Sequence, residues 1–94
     1  MTLARVVSFN AVDADRLAAL KQEIDSGERP EGVPATEFLM LHDPAADKVI
    51  AILFFDSDED YEAGDAVLSA MPTADTPGTR TSVEKYDVVA RMTA

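Results

Sequence analysis

Few side chains in this sequence are equipped for chemistry near neutral pH. His42 is the only histidine among 94 residues and the one side chain with an ordinary pKa near neutrality, so any general-base role must consider it first. Asp43 follows it directly. Neighbouring residues on a strand project to opposite faces, however, so the pair reads as the solvated end of a hairpin. Tyr61 and Tyr86 carry hydroxyls that could line a ligand pocket, or pack in a core with the hydroxyl satisfied. Arg5 shares a strand face with Val7 and Phe9. An arginine on an apolar face can hold a carboxylate bidentately, or pair across the sheet with an acid such as Glu84 or Asp87. Arg80 and Arg91 stand near the outer strands.

Several chemistries are excluded by residue type. The chain has no cysteine, hence no disulfide, thiolate nucleophile or Cys-ligated metal. No glycine-rich phosphate loop, zinc-ligand spacing or supported serine–histidine–acid arrangement occurs. The run Asp56-Ser57-Asp58-Glu59-Asp60-Tyr61-Glu62 has acids at alternate positions, as an EF-hand loop does. That loop also needs a glycine at its sixth position and a bidentate glutamate at its twelfth, where this chain has Tyr61 and Val67. No metal site is therefore expected, and no cofactor. Acids in the first turn of a helix meet the positive end of its dipole, which explains the run without a ligand.

The net charge of −10 argues against binding to nucleic acid or an anionic membrane, both polyanions. Between Val49 and Thr79 there are acids but no base, so the charge reads as one solvated, acidic face. The longest apolar run, Val49 to Phe55, has the length of a strand and not of a membrane span. The segment Met1 to Val7 has no basic region leading a long apolar stretch, so the expected location is cytoplasmic. The length implies one domain over residues 1–94.

The elements that must position these residues follow from periodicity. Leu3 to Asn10 reads as a strand. Asp13 is a credible N-cap for a helix reaching Asp25, with Ala14, Leu17, Ala18, Leu20 and Ile24 on one face. Gly27 follows as a terminator. Residues 25–35 hold two prolines and two glycines and form the one long loop. A strand over Thr36–His42 leads through Asp43-Pro44-Ala45-Ala46-Asp47, a turn, into its hairpin partner Lys48–Phe55. Ser57 with Asp60 has capping-box spacing and opens a second helix to about Met71. Tyr61, Ala63, Val67, Leu68 and Met71 supply its apolar side, and Gly64 lies within it at a cost of about 1 kcal/mol. Residues 72–78 end that helix, and a last strand spans Thr81–Met92. The order strand, helix, strand, strand, helix, strand predicts an α+β, ferredoxin-like βαββαβ fold. Its four-stranded antiparallel sheet would carry both helices on one face.

The two helices of one chain cannot cover both faces of that sheet. In Lys48–Phe55, Val49, Ala51, Leu53 and Phe55 point one way and Ile50, Ile52 and Phe54 the other. Phe38 and Met40 likewise oppose Leu39 and Leu41. With both helices on one side, the other side carries a patch that monomers rarely leave in water. A second copy packed sheet to sheet would cover it; the alternative cover is the long loop or the C-terminal residues. The expected partner is the chain itself, as a homodimer through the sheet face.

The whole chain resembles the dimeric α/β barrel superfamily, which includes the antibiotic-biosynthesis-type monooxygenases. Pro30-Glu31-Gly32-Val33-Pro34-Ala35, Leu41-His42-Asp43-Pro44 and Pro77 to Tyr86 are similar to segments of uncharacterised actinobacterial members. Membership implies a homodimer and a small pocket between sheet and helices in each subunit. Heme-degrading members use an axial histidine with tryptophan and asparagine nearby, and quinone-forming members also place tryptophan and asparagine in the pocket. This chain has no tryptophan, and His42 falls at a hairpin mouth rather than on the second helix. Asn10 is the one position that could match a pocket asparagine. The expected function is binding of a small apolar or aromatic molecule without catalysis. The alternative is a cofactor-independent monooxygenase-like or isomerase-like enzyme acting on a small aromatic or polyketide-like substrate. The candidate residues are His42 and Asn10 for catalysis, and Asn10, Tyr61 and Tyr86 for a pocket.

Overall fold

The computed structural model describes residues 2–27, 32–72 and 76–92. The elements run β1 (Leu3–Asn10), α1 (Ala14–Asp25), β2 (Glu37–Asp43), β3 (Lys48–Phe55), α2 (Asp58–Ser69) and β4 (Thr79–Asp87). The strands form one antiparallel sheet in the order β2-β3-β1-β4, with both helices against one face. This is the expected ferredoxin-like architecture.

The caps work as their residue types dictate. The Asp13 carboxylate accepts from the N–H groups of Asp15 and Arg16, and the Ser57 hydroxyl accepts from that of Asp60. Asp43 opens the hairpin turn by accepting from the N–H groups of Ala45 and Ala46. Two elements are shorter than periodicity suggests. β4 ends at Asp87 and not Met92, because Asp87 already pairs with Leu3. Beyond it the Val88 N–H reaches the Thr2 carbonyl, and the partner strand runs out. α2 stops at Ser69, ahead of Pro72, which disfavours helical backbone in the residue before it. Residues 28–31 of the expected loop, and 73–75 of the stretch expected to end α2, lie outside the described residues.

The two-sidedness of the sheet is resolved by burial. Leu3, Val7 and Phe9 of β1, with Val49, Ala51, Leu53 and Phe55 of β3, are buried beneath the helices. Ile50, Ile52 and Phe54 lie on the open side and are only half-buried, while Leu39 and Leu41 are 42% and 51% exposed. The C-terminal residues cover one corner of this side. Arg91 lies 4.7 Å over the Phe54 ring and pairs with Glu37.

Gly64 has a role that its helix propensity conceals. A Cβ there would stand 2.5 Å from the Phe55 ring, so the glycine lets α2 lie directly on that ring. The sheet-facing side of α2 therefore carries Tyr61, Gly64 and Leu68, while Ala63 and Val67 of the expected apolar side are exposed.

Candidate functional site

No residue of α1 is buried. The helix stands off the sheet, and a cleft of about 80 Å³ opens between the two layers. Val7, Phe9, Ala51 and Leu53 form its floor, continued by Phe38 and Met40 of β2. Leu20 closes it from α1, and Leu68 and Met71 from α2 and its C-terminal flank. Thr76 and Pro77 shut one end, where the Pro77 carbonyl accepts from the Asp13 N–H at 2.8 Å. At about 15 Å³ per water-sized group, the space holds about five such groups.

Arg5 is set into this apolar floor and is only 3% exposed. Its Nε donates to Asp65 Oδ1 at 2.8 Å and its Nη2 to Ser69 Oγ at 3.3 Å. Asp65 and Ser69 are four residues apart on α2, so one face of that helix presents both. The expected pairing with Glu84 or Asp87 is corrected: the Arg5 side of β1 turns toward α2, which brings Asp65. A guanidinium has five N–H donors, and these contacts use two. Nη1 has no acceptor among the described residues. No buried side-chain nitrogen or oxygen among them lacks a partner, so Nη1 is not sealed in, and Arg5 is one of the residues that line the cleft.

Arg80 reaches the same cleft by a backbone irregularity. β1 and β4 pair regularly from Leu3↔Asp87 to Ser8↔Ser82; then Phe9 pairs with Arg80, leaving Thr81 as the extra residue of a bulge. The bulge moves Arg80 to the helix side beside Phe9, where regular alternation would have placed Thr81. Arg80 is exposed and lines the cleft mouth. Gly78, just before β4, allows the close passage: a Cβ there would lie 2.5 Å from the Asn10 carbonyl oxygen.

The residues singled out from sequence go to separate places. His42 is exposed on β2, at the edge of a shallow groove beside Leu17 and Ala18. Asn10 is exposed at the end of β1, opposite Lys48 and Thr79. Tyr61 is buried in the core, edge-on to Phe55 at 5.4 Å, with Lys85 Nζ 4.8 Å from its ring. Burial, and then the nearby Asp65 charge, push its hydroxyl pKa above 10.0. Tyr86 is on the open side of the sheet and donates to Glu84, a bond that also raises its pKa. None of these four lines the cleft around Arg5. Of the residues that do, Arg5 was legible as a candidate from its apolar strand face. Leu20, Leu68 and Met71 read only as helix core, and Arg80 carries no signal of the bulge that turns it.

A four-stranded antiparallel sheet in the order β2-β3-β1-β4, with both helices on one face, is the ferredoxin-like fold. Two solved structures share it over the whole chain. One is a protein from Chloroflexus aurantiacus J-10-fl, provisionally assigned as an antibiotic biosynthesis monooxygenase, with a TM-score of 0.62 at 11% identity. That match covers 99% of this chain and 98% of the other. The second is Rv0793 from Mycobacterium tuberculosis, with a TM-score of 0.65 at 12% identity, covering 99% and 100%. At these identities the likeness is one of fold. No known family profile and no curated protein matches the sequence. Among the described residues, no helix is long and apolar enough to cross a membrane.

Proposed function

We propose that the chain acts as a homodimer joined through the open face of its sheet, and that the helix-side cleft binds a small apolar molecule without transforming it. The observation that carries the binding reading is the chemistry of the lining. Among the described residues, every side chain lining the cleft apart from Arg5, Arg80 and Thr76 is apolar, and the lining holds no histidine and no carboxylate. An enzyme moving protons would need such a group within reach of the substrate. The monooxygenase assignment belongs to the Chloroflexus protein, and its likeness to this chain supports the fold.

The dimer reading is supported by area and by charge. The chain exposes 6087 Å², about 800 Å² more than a monomer of its mass typically leaves in water. That excess equals roughly one partner's share of a standard interface. Although the chain carries −10, the open face bears Glu37, Asp43 and Glu84 against Lys48 and Arg91, close to neutrality. The acids of α2 lie on the other side of the sheet, so two copies can meet without bringing their charge together.

Light scattering after size exclusion should give about 20 kDa, and a 10.1 kDa species at micromolar concentration would overturn the dimer. Methyl NMR with small apolar molecules should shift Leu20, Leu68 and Met71 and return each molecule unchanged. Chemical turnover would favour the enzyme instead.

A further inference from the structure

We infer that the cleft is built for an anion: its ligand is a small monocarboxylate with a short branched apolar body, the carboxylate held by the free edge of Arg5. This rests on the reading of the cleft as a binding site. A buried guanidinium is stable only when its donors are met, because each unpaired polar group in an apolar setting is costly. Arg5 is 3% exposed, yet its acceptors are one hydroxyl and one carboxylate that is itself 41% exposed. Asp65 takes the Nε edge, and Ser69 takes one Nη2 donor. The Nη1 side remains without a protein acceptor among the described residues, on a side chain that lines the cleft, and its planar fork suits a second carboxylate.

Charge points the same way. Arg80 makes no ion pair or hydrogen bond among the described residues, and the bulge at Thr81 brings it to the cleft mouth. Among the described residues, two arginines at the cleft stand against one acid in contact with them, Asp65, within a chain of net −10. About four residues of strand separate the levels of Arg5 and Arg80, roughly 13 Å, so one small ligand does not bridge both. Arg5 is the anchor and Arg80 attracts the anion to the opening. The remaining walls at Leu20, Leu68 and Met71 suit methyl groups and offer a ligand no further polar partner. With room for about five water-sized groups, a probe of matching scale is isobutyrate, a branched monocarboxylate of six heavy atoms.

The test compares isobutyrate with its neutral near-isostere isobutyramide in methyl and arginine-side-chain NMR titrations. Isobutyrate should shift Leu20, Leu68, Met71 and the Arg5 guanidinium signals and bind at least ten-fold tighter than the amide. Arg5→Lys keeps the charge beside Asp65 but removes the fork, and should bring the affinities for the two probes together. Equal binding of the two probes, or a carboxylate preference that survives Arg5→Lys, would overturn the anion assignment and leave the cleft a binding site. Should neither probe move the cleft methyls, the assignment falls together with the binding reading. The probe comparison needs no variant, so it stands even where Arg5→Lys fails to fold.

Discussion

Gly64 decides how closely α2 can approach the sheet. Replacing it with alanine should gain about 1 kcal/mol of helix propensity in isolation. The new Cβ would meet the Phe55 ring at 2.5 Å, and that ring is fully buried with no space to retreat. Overpacking of this kind costs about 1–3 kcal/mol, so Gly64→Ala should lower stability on balance. The expected drop in Tm is several degrees, read by thermal unfolding; a rise would mean that α2 does not rest on Phe55. Arg5 teaches the same lesson from the other side. Its apolar strand face was legible, but its partner was not, because alternation does not reveal which face of a strand meets the helices. Once that face is known, the acids of α2 come within reach and Glu84, opposite Val6, is excluded; Asp87, opposite Leu3, shares the face, but Arg5 pairs with Asp65. Asn10, Tyr61 and Tyr86 scatter for the same reason. The face of β4 that Tyr86 occupies, and the depth of Tyr61 beneath α2, depend on packing.

At the scale of elements, local signals were dependable where they rest on backbone chemistry. Caps, prolines and strict alternation placed β1 and β3 to the residue and both helix starts to within one. What they could not show was the bulge at Thr81, because no residue there is special in type. The register break arises where β4 leaves the close crossing of Gly78 beside Asn10. Ser57 ties the first turn of α2, and Ser57→Ala should cost about 1 kcal/mol. In a domain of this size that lowers Tm by roughly 4–8 °C, and calorimetry would measure it. β4 is tied to the same helix by Lys85, whose ammonium donates to Asp58 at 3.0 Å. That hydrogen bond raises the Lys85 pKa above 10.5, and burial raises that of Tyr61 above 10.0. Both groups hold their protons more tightly when folded, so their contribution is complete below about pH 10. As pH climbs from there the unfolded chain releases protons first, and stability should fall until the folded groups also titrate. Urea titrations from pH 7 to 11.5 should therefore show a flat region and then a decline. Lys85→Met should make that decline shallower, and an unchanged slope would remove Lys85 from the explanation.

For the whole molecule, β3 is the strand on which fold and assembly meet. Leu53 and Ile52 are neighbours with the same hydropathy, yet Leu53 is 2% exposed beneath the helices and Ile52 is half-buried on the open face. Removing a buried leucine side chain alone costs about 2–5 kcal/mol, and a carboxylate left there without a partner adds to that. Against a total of about 5–15 kcal/mol, Leu53→Asp should leave the chain unfolded. Ile52→Asp places its charge where water can reach it in a single copy, but at the centre of the proposed interface in a pair. It should keep the circular-dichroism spectrum of the native fold and lower the light-scattering mass from about 20 kDa to 10.1 kDa. The two variants thus separate the helix-side core from the contact between copies. A folded Leu53→Asp would contradict the sidedness of the sheet. An Ile52→Asp variant that remains dimeric would move the interface elsewhere, and the exposed Leu39 and Leu41 would then need a different cover.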